Sequence, residues 1–386
     1  MIYCVTCGKA QAQNKKKIGT LCEKCRTRNK EDKLKLYSNE IVFRGHPDKV
    51  CDQIAGALLD AYLSLNPNAR AGIEVMGSYN GTSQVITVAG EINTPGDKAL
   101  TMCMADKIVN RVLADCGYPR GQIRYEMTNQ SPDIAQGVDN GGAGDNGMMF
   151  GYACNDTPEM LPTAQVILQK FAKSYDELRQ QKTSAPSLLG SDGKAQITGE
   201  YDADFKLKRI KTFTICYQNY CNNEQRTWQD VVLMTMAKNI AKEYGIEIDE
   251  FLINPTGKFE IGGFRADAGL TGRKIQVDAY QTFANVGGGS MNGKDPSKVD
   301  VSGAHYARHL AKHYLEHYKL KWCEIQISYA IGIATPLAIY VNSDKGTLDP
   351  DFEIHGFYGQ PEEMRKLFDG VSFEELAKFG HFGGGK

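Results

Sequence analysis

Long apolar runs are what this sequence most plainly lacks. No stretch of its 386 residues approaches the roughly 20 consecutive apolar residues that a membrane-crossing helix needs. The opening residues, MIYCVTCGKAQAQ, have no apolar core of the signal-peptide kind, so a cytoplasmic location is expected. Net charge is nearly absent too, with 45 Lys and Arg against 46 Asp and Glu. The apolar and charged fractions are those of an ordinary globular protein. Eleven cysteines in so long a chain do not make a disulfide scaffold; free thiols in a reducing compartment fit better. What is left is a chain long enough for two or three domains with cores of their own.

Charge and cysteine are unevenly spread. Residues 1–35 carry ten Lys or Arg against three acids, a formal +7 that leaves −8 for the rest. Within them Cys4, Cys7, Cys22 and Cys25 form C-x2-C-x14-C-x2-C. Two such knuckles present four thiolates on tight turns, as a tetrahedral structural Zn2+ requires, so a small zinc ribbon is expected. Its basic charge could meet nucleic acid or an acidic partner, but ribbons are at least as often plain structural appendages. A polar linker, RTRNKEDKLKL, follows over 26–36.

The densest chemistry lies in IGGFRADAGLTGRKIQVDAYQTFANVGGGSMNGKDPSKVD, residues 261–300. Two glycine-rich turns there accompany five cations, Arg265, Arg273, Lys274, Lys294 and Lys298. Asp267, Asp295 and Asp300 lie among them as acids that could hold magnesium or an amine. Glycine lets backbone approach a ligand, Lys and Arg neutralise phosphate oxygens, and a divalent metal would complete the charge balance. A polyphosphate site is the better reading against a solvated charged hairpin. Gly288–Asp295 imitates a P-loop but lacks the Ser or Thr after its lysine, and Pro296 follows at once, so a P-loop is rejected.

Elsewhere, Val50, Ile54, Leu58, Ala61 and Leu65 recur at helical spacing, with Pro47 tolerated in the first turn. That places His46 and Asp48 near a helix N-terminus, where free N–H groups favour a phosphate. Strands IEVMGSY and SQVITVAGEI, KAQITGEYD and KRIKTFTICYQN, and the pair within CEIQISYAIGIATPLAIYVNS alternate with helices DKALTMCMADKIVNRVLADCG, TAQVILQKFAKSYDELRQQ and DVVLMTMAKNIAKEYG. This order points to α+β layers with mixed or antiparallel sheets, and an internal repeat is suspected. TNQSPDIAQGVDNGGAGDNGMMFGYAC reads as a long polar loop of the lid or binding type. A helix after Asp300 carries His305, His309, His313 and His317, a stripe expected to face solvent or a second subunit. The end, GHFGGGK, is expected to fray.

GHPDKVCDQI, GAGDNGMMFGYA, NPTGKFEIGG, DAGLTGRK, GGGSMNGKDPSKVD and ISYAIGIATPLAI, in this order, resemble the methionine adenosyltransferase (S-adenosylmethionine synthetase) family from about Ser38 onward. The resemblance implies three similar α+β domains about a pseudo-threefold axis, over 36–133, 142–261 and 262–386, behind the ribbon and linker of 1–35. It implies a reaction in which the sulfur of L-methionine displaces triphosphate from C5′ of ATP, followed by hydrolysis of triphosphate to pyrophosphate and phosphate. A thioether has no proton to lose, so alignment and charge stabilisation should carry the first step.

Carried over by motif, His46, Lys194, Arg273, Lys274 and Lys294 would be catalytic, stabilising the triphosphate. Asp192, Gly193, Lys258, Phe259, Asp267 and Ser290 would complete the ATP site, Phe259 stacking on adenine. Glu91, Gln130, Asp145, Asp267 and Lys298 would hold methionine and the adjoining ribose. Asp48 and Asp300 would bind Mg2+ (two ions), and Glu74 K+. A homodimer or tetramer with sites shared between chains is implied, with a lid over about 130–144. Four departures accompany these matches, one of them the stretch FRAD in place of one that usually begins with Pro. Arg44 stands where the family usually has Glu, adding a cation beside the triphosphate; Lys258 replaces an Arg, and Val286 a His. Two rival readings are a degenerate nucleotide sensor working through the basic ribbon and another ATP-dependent enzyme using the same clamp.

Overall fold

The computed structural model describes residues 34–93, 100–132, 136–137, 141–181, 188–220, 223–351 and 361–383, with two short strands, β1 (Ile2–Tyr3) and β2 (Ala10–Gln11). These two pair antiparallel, Ile2 with Gln11 and Tyr3 with Ala10. The four cysteines expected to bind zinc lie outside the described residues.

The remainder is built from one plan used three times: a leading strand, a helix, then a set of strands. In the first unit β3 (Lys35–Val42) leads to helix α1 (Pro47–Leu65), β4 (Arg70–Tyr79), β5 (Gln84–Asn93), α2 (Met102–Asp115) and β6 (Gln122–Asn129). The second runs β7 (Gly147–Cys154), α3 (Thr163–Gln180), β8 (Leu189–Tyr201), β9 (Leu207–Asn219), α4 (Asn223–Glu243) and β10 (Ile248–Ile253). The third runs β11 (Gly269–Leu270), the short α5 (Ile275–Asp278), α6 (Val299–His317), β12 (Trp322–Tyr329), β13 (Ala338–Ser343) and β14 (Gly346–Leu348). Two short helices, α7 (Pro361–Met364) and α8 (Phe373–Phe379), follow.

No leading strand joins its own unit's sheet. β3 pairs antiparallel with β8 of the second unit, β7 with β12 of the third, and β11 with β4 of the first. The three four-stranded sheets are therefore β10-β9-β8-β3, β14-β13-β12-β7 and β11-β4-β5-β6, each closed by a strand from another unit. In the first two units a crossover helix makes the last strand pair parallel; the third replaces it with a hairpin, and its pair is antiparallel.

Each sheet buries one face under helices. In β4 the residues Ala71, Ile73 and Val75 alternate inward to meet Val50, Ile54 and Leu58 of α1. Gly72, Glu74 and Met76 alternate to the open face, where Met76 is 46% exposed. The second core joins Ile197, Phe213 and Ile215 to Ile167, Leu168 and Phe171 of α3, and the third joins Ile325 and Ile327 to Tyr306, Leu310 and Tyr314 of α6. From Pro47 to Leu59 every residue of α1 is buried, because α8 covers the side turned away from the sheet. A Cβ on Gly56 would lie 2.7 Å from the Phe373 carbonyl oxygen, so the two helices meet at backbone distance.

Four expectations need correction. GMMFGYAC is not loop but β7, which crosses to the third unit's sheet. IRYEMTN and IDEFLI, unremarked as strands in the sequence, form β6 and β10. The GHF of the tail is not frayed: His381 and Phe382 are 6% and 5% exposed, and Phe382 stacks on Tyr280 with ring centroids 5.0 Å apart. The histidine stripe is divided: His313 and His317 are exposed, whereas His305 is half-buried against His381.

Candidate active site

The turn before α1 is pinned from several sides. Phe43 N–H and Gly45 N–H donate to the Gly193 and Ser191 carbonyls at the start of β8, at 2.9 and 3.2 Å. Gln53 donates to the Arg44 carbonyl, and the Tyr118 hydroxyl to the Gly45 carbonyl. A Cβ on Gly45 would lie 2.2 Å from Ser191 Cβ, so this contact admits glycine alone. The turn ends at His46, the N-cap of α1, whose Nδ1 accepts the Asp48 N–H at 3.2 Å. An accepting Nδ1 leaves the hydrogen on Nε2. Burial, with Lys274 next, pushes the His46 pKa down to about 3, so the ring is a neutral Nε2–H donor at ordinary pH.

Around it stands the first charge group. Asp48, fully buried, faces Lys274 Nζ at 2.5 Å and Arg273 Nε at 3.6 Å, and accepts the Leu270 N–H at 3.0 Å. Burial alone would raise this carboxyl, but Lys274 and Leu270 outweigh it and hold it below its ordinary range. Lys194, exposed on β8, is close enough to depress His46. Asp192 accepts the Gly263 N–H at 2.7 Å, and burial pushes it up to about 6 despite Gly263, Gly193 and Lys194. Exposed Asp267 adds to that rise. A Cβ on Gly193 would meet the Cys216 carbonyl oxygen at 2.5 Å.

A second group occupies the open face of the first sheet. Lys298 Nζ lies 3.3 Å from Glu91 and 3.4 Å from Asp295, and Lys294 is hydrogen-bonded to Asp300 in the first turn of α6. Burial raises the Glu74 carboxyl, and nearby Lys294 offsets this in part. Both groups owe their position to the edge of β4. Gly269 and Leu270 pair with Gly77 and Met76, and Thr271 N–H donates to Val75. Farther along, Ile73 N–H donates to the Gly293 carbonyl and Lys294 bridges Gly72. Gly293 has φ +74, and a Cβ there would lie 2.1 Å from the Ile73 carbonyl oxygen. Among the described residues no ion pair joins the two groups.

The other predicted residues are more scattered. Gln130 is 9% exposed, with an Oε1 that has no partner among the described residues. Asp145 is exposed and accepts the Asn146 N–H, in a segment tied to the third unit where Ala143 bridges Ile331. Lys258 is 74% exposed at the side chain and pairs with Glu260. Half-buried Phe259 accepts the Asn219 N–H through its carbonyl. Ser290 packs on Gly272, joining the two glycine-rich turns.

Two readings are overturned. Arg44 adds no cation beside the site: its Nε donates to Gln53 Oε1 at 2.7 Å and its guanidinium faces Asp176 at 3.4 Å, beneath the turn. Asp295 is turned inward rather than toward a ligand: its oxygens accept the Ala71 and Ser297 N–H groups at 2.8 Å each, locking the loop to β4, and the amine it faces is the chain's own Lys298. Sequence reasoning also missed a buried set, Lys49, Asp52, Asp278 and Asn292. Lys49 lies 2.7 and 2.8 Å from the Asp278 oxygens and 3.1 Å from Asp52. Lys49, Asp52 and Gln53, polar residues off the apolar stripe of α1, were the available signal.

Among the described residues no three of His, Cys, Asp or Glu gather at one point. Single hard carboxylates such as Asp48 and Asp300 suit Mg2+, which takes one or two protein oxygens and completes its shell with phosphate and water. Glu74, raised by burial on an open face, suits a cation as well.

Three sheet-and-helix units with exchanged leading strands define a three-domain α+β protein. Models of S-adenosylmethionine synthetase match it in succession: the N-terminal domain over residues 34–140, the central domain over 140–259 and the C-terminal domain over 261–385. The S-adenosylmethionine synthase of Chlorobium phaeobacteroides (strain DSM 266 / SMG 266 / 2430) is 36% identical over 387 residues, 90% of this chain and 93% of that protein. The chain belongs to the S-adenosylmethionine synthetase family, and its activity is the synthesis of S-adenosylmethionine from ATP and methionine.

Proposed function

We propose that synthesis proceeds by attack of the methionine sulfur on C5′ of ATP, with triphosphate leaving whole and then being hydrolysed to pyrophosphate and phosphate. The observation that carries this is the neutral Nε2–H donor of His46 at a helix N-terminus ringed by Lys194, Arg273 and Lys274. It can stabilise an oxygen whose negative charge grows as the C–O bond breaks, without a proton having to move first. The three cations, with Lys294, would hold the triphosphate. Asp192, Gly193, Lys258, Phe259, Asp267 and Ser290 would bind the rest of ATP.

Methionine would be held by Glu91, Gln130, Asp145, Asp267 and Lys298; the unpartnered Gln130 Oε1 supports a polar ligand there. Carboxylates near the sulfur would also favour the sulfonium product. Asp48 and Asp300 would hold Mg2+, which supplies charge neutralisation across phosphate oxygens, and Glu74 would hold K+.

The His46 group and the Lys294 group carry complementary halves of this chemistry, which supports an active site shared between two copies. The open sheet faces carry Met76, Leu36, Leu252, Met148 and Tyr340, at 46, 66, 41, 56 and 48% exposure, and so offer apolar area for a homodimer. The cyclic exchange of leading strands supports the pseudo-threefold axis. For residues 1–35 a zinc ribbon remains our reading, supported by the two C-x-x-C pairs and by the β1–β2 ladder flanking the first; one zinc per chain by elemental analysis is expected.

The test is S-adenosylmethionine formation by mass spectrometry with ATP, L-methionine, Mg2+ and K+. The full chain should form product, and the Lys294→Ala, Asp300→Ala double variant should form none detectable. Equal yields from the two would overturn the assignment.

A further inference from the structure

His381 belongs to the tail, yet it touches both segments that carry the proposed triphosphate clamp. Its backbone N–H donates to the Asp278 carbonyl at 2.8 Å, four residues after Lys274. Its ring Nε2 lies 2.9 Å from Asn292 Oδ1, two residues before Lys294. The neighbouring amide sets the direction of this second bond. Asn292 Nδ2 donates to Asp278 Oδ2 at 3.2 Å, which turns its oxygen toward the imidazole. His381 Nε2 therefore carries a hydrogen, and its Nδ1 must accept. The partner of Nδ1 is His305 Nε2 at 3.2 Å, which then donates. A single-direction chain results: His305 to His381 to Asn292 to Asp278, whose carboxylate also receives Lys49 from α1.

Beyond the half-buried His305 this chain is buried. His381, Asn292, Asp278 and Lys49 are 6, 4, 1 and 1% exposed. Burial lowers both imidazoles, His305 to about 4, which agrees with two neutral rings. The far end returns to the site. Lys49 also binds Asp52, which accepts the Gly272 N–H at 3.0 Å, one residue before Arg273. Asn292 N–H donates to Ser290 Oγ at 3.1 Å. The network thus ties the Arg273–Lys274 turn, the Ser290–Lys294 loop and the α1 N-terminus into one body.

We propose that His381 is a positioning residue for triphosphate: its Nε2–H, acting through Asn292 and the Asp278–Lys49 pair, fixes the Lys294 loop relative to the Arg273–Lys274 turn, so that the cations one chain gives to the two shared sites of a dimer keep a set spacing. It rests on the clamp reading given above. Because one neutral hydrogen bond is in question rather than a charge in the clamp, the effect should be modest and confined to phosphate.

The experiment uses the full chain with inorganic tripolyphosphate as probe, read by calorimetry, beside steady-state kinetics and thermal midpoint. His381→Phe keeps the ring's volume beside Phe382 and His305 but removes the donor. His381→Gln places an amide N–H near the position of Nε2. The Phe variant should weaken tripolyphosphate binding and lower kcat, each by roughly three- to tenfold, with the methionine KM unchanged. The Gln variant should recover both to within about twofold of the parent. Unaltered tripolyphosphate affinity in the Phe variant would overturn the proposal. So would equal losses in both variants, or a lower yield of active protein with unchanged affinity, since either assigns the ring to packing. A parent chain that forms S-adenosylmethionine without binding tripolyphosphate would instead defeat the clamp reading, and this proposal with it.

Discussion

The two charge groups differ in how they are built, and the contrast explains the division of labour proposed for them. The His46 group is set into the protein: Asp48 is fully buried, and the turn before it is held by β8, Gln53 and Tyr118. Its donors point where they do whether or not substrate is present, which suits stabilisation of a leaving group. The Glu91–Lys298 group stands on an open sheet face, with side chains 31 and 16% exposed. Its ions are paired with one another and only partly covered by the chain. Such a surface is finished by what lands on it, and a second copy bringing its own His46 group would finish it.

The sharpest way to break the comparison is His46→Ala. Losing a preorganised donor should cost kcat roughly a hundred- to a thousandfold, with little change in methionine KM, as steady-state kinetics would show. Arg44→Met tests the support beneath it. The variant leaves Gln53 Oε1 without its Arg44 donor, while Asp176 keeps Arg179 at 2.6 Å, so a loss of about 2 kcal/mol in chemical denaturation is expected. On the other side, Lys298→Met should raise the methionine KM about tenfold, leaving tripolyphosphate affinity unchanged. A shift in tripolyphosphate affinity instead would erase the distinction between the groups. Lys258→Arg should do least. The ammonium is exposed and paired with Glu260, so kinetics should move by less than about twofold.

Much of this was legible in the residues. The helical spacing of Val50, Ile54 and Leu58 behind Pro47 located α1, and with it His46 and Asp48 at its start. The density of cations at glycine turns marked the stretch that lines the edge of β4. What stayed hidden was long-range. A two-residue strand such as β11 has no period to detect, and β7 was masked by the glycine-rich run before it. Nothing local says that a leading strand will join another unit's sheet. Arg44 was misplaced because a charge beside a phosphate motif reads as part of it, whereas its side chain is long enough to turn under to Gln53 and Asp176. Lys49, Asp52 and Gln53 looked like the solvent side of a helix, and only the arrival of α8 and the tail makes that side interior. The GHF tail fails as a sequence signal for the same reason: its partners, Tyr280, Asn292 and His305, come from other segments.

The most direct measurement of the shared-site account is complementation between two inactive variants, His46→Ala and the Lys294→Ala, Asp300→Ala double, unfolded together and refolded as an equal mixture. In a mixed dimer one of the two sites would combine an intact His46 group with an intact Lys294 group. Random pairing therefore predicts recovery of about a quarter of parental S-adenosylmethionine formation, while each variant refolded alone stays inactive. A mixture no more active than its components, with mixed dimers verified by native mass spectrometry, would contradict the account and place both groups in one chain's site.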